Sequence, residues 1–310
     1  MNRRVSESVN LKPALDRLYD SFNAPDSAFD PVQVVRQYPR VEDREIIGFI
    51  ASAVAFGRVA SVVNSTNAIC AVLGDRPARF LEEFEPRVHG KPLLPLVHRW
   101  TRGQDFVAML WILRSFIEEF GSLERAFAAG LQDDDVDVGP AIESFSDRAR
   151  SVDLRPVYGR GGFTPSPSRP GAGRNSTRPS TGSACKRMNL YLRWMSRTDG
   201  VDPGGWTAVP PSKLVIPLDT HIIRVGRCLK LTKYQSPGWK MAADITASLR
   251  KLDAADPVKY DFSLCHLGMM GGCRFGDAHA SAHACQLAGV CQPKRGRFPV
   301  STRRRKRKAA

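Results

Sequence analysis

Long apolar runs, a secretory leader and period-two patterning are all missing from this chain of 310 residues. The longest apolar run, residues 46–57, covers 12 positions. A membrane-spanning helix takes roughly 20, so this run reads as a buried helix, and no membrane partner is expected. The opening MNRRVSESVN carries two arginines without an apolar segment behind them. No secretory signal is visible there, and a cytoplasmic location is expected. Cysteine is sparse, at seven residues. An odd, mostly isolated set points to free thiols or metal ligands rather than a disulfide framework. Without alternating apolar and polar positions there is no strand to predict, and no internal repeat is found.

What is present is ordinary globular composition with an uneven charge. Apolar residues make up 42% and charged residues 25%, enough for a substantial core. The net charge is +15. Nine basic residues and no acidic ones fall in 292–310, which leaves +6 for the rest. A basic body with a polybasic tail suits a polyanionic partner, most simply nucleic acid; the plainer reading is a solubilising terminus. Either way, such a tail adds affinity for phosphate without specifying a sequence.

Helical spacing of apolar residues predicts an all-α chain. Helices are expected over 11–22, over 42–56 with Glu42 and Asp43 at the positive end of the dipole, and over 59–73 with Gly74 as the stop. Further helices are expected over 105–120, 185–197, 239–252 and 257–270. Between them, 15 of the 21 residues from 164 to 184 are Pro, Gly, Ser or Thr. Such a segment cannot bury enough apolar surface to offset its ordering entropy and is expected to be a mobile loop. Its Arg169, Arg174 and Arg178 suit phosphates or simply solvent. The chain is thereby divided into an N-terminal helical region (1–163), the low-complexity loop (164–184), a second helical region with C-terminal cysteines (185–292) and a disordered basic tail (293–310). On the helix over 185–197, Lys186, Asn189, Arg193 and Arg197 form a polar stripe, read as a solvated face or a basic face turned to a ligand. Asp219 is placed to cap the helix that follows it, whose apolar stripe is Ile222, Val225 and Leu229.

The segment from Leu218 to Arg224, LDTHIIR, together with GFIASAVAFGR near the N-terminus and GSACKRMNLYLRWM in the middle, resembles the helix-hairpin-helix DNA glycosylase superfamily that includes endonuclease III. The chain looks like an uncharacterised bacterial family related to those enzymes, over most of residues 30–291. The resemblance implies a two-lobed, DNA-glycosylase-like helical fold and double-stranded DNA as partner. It implies a base-excision glycosylase, with lyase activity where a lysine takes part; the alternative is a non-catalytic nucleic-acid-binding protein on the same fold. Asp219 takes the place of the aspartate that stabilises positive charge on the sugar. By position Lys186 is the lysine that attacks C1′, which requires a partly deprotonated amine, and Arg187 supplies a neighbouring cation. Nucleic acid would be held by Gly182, Ser183, Arg187, Arg193, His221 and Arg224. Arg178-Pro-Ser-Thr-Gly-Ser-Ala184 stands where endonuclease III-type proteins have Leu-Pro-Gly-x-Gly, so the phosphate-binding amides would come from Gly182 and Ser183. A third reading keeps the lysine–aspartate pair for a small-molecule substrate.

Cys273, Cys285 and Cys291 are spaced C-x11-C-x5-C, against the C-x6-C-x2-C-x5-C of cluster-bearing relatives, with Ala282 in place of one ligand. A [4Fe–4S] cluster completed by His279, His283 or Cys265, a zinc ion, and a set of free thiols are the three readings of this group.

Overall fold

The computed structural model describes residues 11–159, 178–269, 286–287 and 290–291. These are mostly helical, as the apolar spacing predicts. In chain order the helices are α1 (Leu11–Phe22), α2 (Val32–Val35), α3 (Val41–Ala53), α4 (Val59–Leu73), α5 (Pro77–Glu82) and α6 (Pro86–His89). Then come α7 (Gly103–Phe120), α8 (Leu123–Ala128), α9 (Gly139–Ser151) and α10 (Arg155–Tyr158). The second region supplies α11 (Lys186–Ser196), α12 (Thr220–Cys228), α13 (Trp239–Arg250) and α14 (Asp261–Met269).

One expectation is corrected at once. A two-stranded antiparallel hairpin, β1 (Val97–His98) and β2 (Thr101–Arg102), precedes α7. Each strand is two residues long, too short to show a period. Its position is set by His98, which is buried and bonded to Ser65 Oγ at 2.8 Å and to the Phe56 carbonyl at 3.1 Å.

Helix α3 organises the core. Ten of its 13 residues are buried, and it packs against α2, α4, α5, α8 and α11. Its acids do more than complement its own dipole. Asp43 accepts the Ala78 amide at 2.8 Å in the first turn of α5. Glu45 accepts the Leu123 and Glu124 amides at 3.0 and 3.2 Å at the start of α8, and Trp206 Nε1 at 3.1 Å. Both satisfy donors that a helix N-terminus leaves without partners. Burial pushes the Glu45 carboxyl up to about 7, outweighing those three donors. Helix α4 stops at Gly74, as expected, with φ 71°.

Buried apolar side chains from both regions form one cluster: α11 lies on α3, and α1 lies on α14. The division at 164–184 therefore does not divide the core. The end of that segment is also more ordered than its composition predicts. Residues 178–184 are tied to α9, where Arg178 pairs with Glu143 and Asp147 and the Ser180 hydroxyl donates to Glu143 at 2.6 Å. Residues 160–177, with Arg169 and Arg174, and the tail 293–310 lie outside the described residues. Among the described residues no helix is long and apolar enough to cross a membrane.

Candidate functional site

The chain enters α11 through Cys185, in the left-handed region at φ 47°. Ser183 Oγ accepts the Cys185 amide at 3.2 Å and so satisfies a donor at the helix start. The first two helical residues then dock on the far end of α3. Lys186 Nζ lies 3.4 Å from the Ala55 carbonyl, and Arg187 Nη1 lies 2.8 Å from that of Ala53. Carbonyls at a helix C-terminus carry partial negative charge and favour cations. The Arg187 guanidinium also lies 5.6 Å from the centre of the Phe56 ring. A cleft of about 270 Å³ sits here, lined by Ala55, Phe56, Ser183, Ala184, Cys185, Lys186 and Arg187.

Asp219 is the N-cap of α12, as its sequence position predicts. Its Oδ1 accepts the amides of His221 and Ile222 at 2.8 and 2.7 Å. Its Oδ2 accepts a hydrogen bond from the Cys265 thiol of α14 at 3.1 Å. Burial, reinforced by the Asp219 and Asp261 carboxylates, holds the Cys265 thiol well above its ordinary range. That keeps the proton on sulfur and makes it a donor. The two proposed reacting groups thus both stand at helix starts. Among the described residues no hydrogen bond or ion pair joins Lys186 to Asp219.

The remaining expected contacts divide. Arg224 is exposed and Arg187 lines the cleft. Gly182 has φ 80° and its amide is spent on the Pro179 carbonyl at 2.8 Å, so it is not an open phosphate donor. The Ser183 hydroxyl accepts the amide of Cys185, the residue before α11. His221 packs on α14, where a Cβ at Gly268 would come within 2.6 Å of His221 Nδ1. That nitrogen is buried without a hydrogen-bond partner.

Arg193 is a correction. It is 3% exposed, so at this position neither the solvated nor the ligand-facing reading applies. Its Nε and Nη2 donate to Asp202 Oδ1 at 3.2 and 3.1 Å, and its Nη1 donates to Asp261. Arg197, one turn on, donates to Asp256 twice, to Asp199 and to Asp202. Burial raises Asp202 and pushes Asp261 up to about 7, against the pull of these arginines. Sequence reasoning missed this network. The available signal was Arg193 and Arg197 four residues apart, followed by Asp199 and Asp202 in a turn. It also missed Cys265 as the partner of Asp219, which no spacing announces across 46 residues.

The cysteine expectations change as well. Cys291 is joined to Cys228 in a disulfide with a Cα–Cα distance of 5.7 Å. A thiolate ligand at 291 and an all-thiol chain are both replaced by that bond. Cys273 and Cys285 lie outside the described residues. Cys265 is engaged with Asp219. Among the described residues no group of three or more potential ligands is assembled.

A family described as "Protein of unknown function (DUF2400)" matches residues 30–270. The chain belongs to that family. The matched span holds the cleft, Lys186, Asp219 and Cys265, and stops short of Cys273, Cys285, Cys291 and the basic tail. No curated protein and no solved structure matches the chain.

Proposed function

We propose that the protein is a DNA-repair base-excision glycosylase with associated lyase activity, on a two-lobed, glycosylase-like helical fold. The observation that carries this reading is Lys186 at the lip of the α3–α11 cleft, beside an aromatic ring and a second cation. The sequence LDTHIIR, with its aspartate capping α12, supports it. In the reaction the flipped nucleotide enters the cleft. The Lys186 amine attacks the sugar C1′ and the C1′–N bond breaks, the electron pair leaving with the base. Loss of a proton from nitrogen and opening of the sugar ring give an imine, from which β-elimination expels the 3′ phosphate. Asp219 stabilises the positive charge that develops on the sugar, and the Cys265 thiol fixes the rotation of its carboxylate.

The second reading, a nucleic-acid-binding protein without this chemistry, is favoured by one observation. The Asp219 carboxylate already accepts three hydrogen bonds. Borohydride separates the two, because it reduces the imine to a permanent protein–DNA crosslink. Wild-type protein with oligonucleotides carrying oxidised bases or an abasic site gives a trapped band on the enzyme reading. Lys186→Gln abolishes it, while Lys213→Gln and Lys230→Gln retain it. Asp219→Asn keeps the helix cap, since asparagine caps as well as aspartate. It slows base release by about 100-fold or more through loss of charge stabilisation. A series of lesions giving neither band nor free base leaves the binding protein as the function.

A further inference from the structure

Large apolar side chains left in water side by side mark a contact surface. Among the described residues seven are exposed, and three of them, Val88, Leu94 and Val97, fall within ten positions. Leu94 and Val97 are 50% and 51% exposed. Val97 stands directly opposite Arg102 in the hairpin, and directly opposed residues share a face. The turn that carries Leu94 lies on the start of α7, where a Cβ at Gly103 would meet the Leu93 and Leu94 carbonyl oxygens at 2.3 Å. Lys91, Arg99 and Arg102 are exposed on the same stretch, and no Asp or Glu occurs from 86 to 104. The hairpin is held in place by the buried His98 and by Trp100, whose ring stacks on Phe56 with centroids 4.6 Å apart. The result is a fixed apolar face edged with cations.

The chain carries the complement of this face elsewhere. Between α8 and α9 runs Asp133-Asp134-Asp135-Val136-Asp137. Val136 is 78% exposed, more than any other large apolar side chain described. The loop is fixed from within. Asp135 accepts the Gln132 amide at 2.7 Å, and Asp137 accepts the Gly139 amide at 2.8 Å. Lys213 Nζ donates to the Gln132 and Asp133 carbonyls at 2.6 and 3.0 Å. Two carboxylates are thereby spent on the loop itself, while Asp133 and Asp134 stay exposed.

We infer that the Val136 loop of one copy seats on the Leu94–Val97 face of a second copy, with Asp133 and Asp134 against its cations. The two surfaces match in both respects, an apolar tip to an apolar face and acid to base. Both are exposed within one chain, so neither covers the other there. Both are also held rigid before they meet, which lowers the entropy lost on association. A twofold axis makes the contact twice, loop to face and face to loop, and doubles the buried area. Other occupants match less of what is seen. Nucleic acid offers phosphates to the cations and no apolar partner to Leu94 and Val97. An anionic lipid surface suits the face and leaves the Val136 loop without a role. This pairing goes beyond the enzymatic reading and does not rest on it.

The test is sedimentation velocity of the full chain over a wide range of concentration and salt. Wild-type protein is expected to pass from monomer to dimer as concentration rises, and salt is expected to weaken the dimer by screening. Leu94→Asp and Val136→Asp are each expected to raise the dissociation constant by about 10-fold or more, as loss of a central apolar contact does. Both positions are exposed, and unchanged helical circular dichroism checks that the variants fold. Charge reversal then tests the pairing itself. Arg102→Glu and Asp134→Arg each weaken the dimer, and the two reversals in one chain recover most of the loss. Asp26→Arg, an exposed reversal outside both surfaces, leaves the dissociation constant as it is. A chain that stays monomeric throughout overturns the inference. So does a dimer indifferent to Val136→Asp, or one that the paired reversals do not recover. Leu94-dependent binding of the monomer to vesicles of anionic lipid, without a dimer, also overturns it and assigns the face to a lipid surface.

Discussion

The two ends of α11 carry the same kinds of side chain and put them to opposite uses. Near its C-terminal end, Arg193 and Arg197 are buried against Asp199, Asp202, Asp256 and Asp261. At its N-terminal end, Lys186 and Arg187 meet the carbonyls of Ala55 and Ala53 and, for Arg187, the ring of Phe56. In the first case carboxylates compensate the cations and lock the chain segments that bring them. In the second the cations line a cleft with no carboxylate among its lining residues. A cation's role here is decided by what the fold sends to meet it, and not by the helix that carries it.

That contrast breaks most sharply at Arg193. Arg193→Met leaves Asp261 buried with no cation and Asp202 with only Arg197. Removing one partner of a buried pair costs about 3–5 kcal/mol. Urea unfolding is expected to show a loss of that order with an unchanged slope. A loss below about 1 kcal/mol, typical of an exposed pair, contradicts the description of this end as a structural network.

Glu45 sharpens the same point, as a buried carboxylate with donors but no cation. Its folded value of about 7 lies above the ordinary 4.5, so the folded state holds the extra proton between the two. Its contribution to stability is complete below about pH 4.5 and is lost as pH rises toward 7. The slope is at most about 1.4 kcal/mol per pH unit. Asp261 acts in the same direction over much of that window. Glu45→Gln is therefore expected to remove one share of the slope, read by unfolding at several pH values from 4.5 to 7. An unchanged profile contradicts the burial argument.

The smallest stability effect belongs to the other end. Lys186 is half-buried and makes one long contact with a carbonyl, so Lys186→Gln is expected to cost less than about 1 kcal/mol. A loss comparable to that of Arg193→Met would make Lys186 a structural residue and remove the contrast.

Much of the helical frame was legible because burial imposes a period. Residues 11–22 and 59–73 are helices with the expected limits, and Asp219 caps α12 as its position predicts. The short pieces were not legible. Helices α5, α6 and α10 and the hairpin are four to six residues or fewer, less than a period needs to declare itself. Arg193 was misread because a charged stripe looks the same from sequence whether it faces water or buried aspartates. The aspartates that settle it come from residues 199–261. Lys186 and Asp219 were found through a resemblance. Phe56 and Trp100 were joined only by the fold, across 44 residues.

The central claim, that the Lys186 amine is the group that bonds to the sugar, is tested most directly by locating the crosslink. Wild-type protein is reacted with an abasic oligonucleotide under borohydride and digested, and the modified peptide is sequenced by mass spectrometry. The account predicts a single reduced sugar adduct on the Lys186 side chain. An adduct on any other lysine, or none after trapping conditions that crosslink a known lyase, contradicts it.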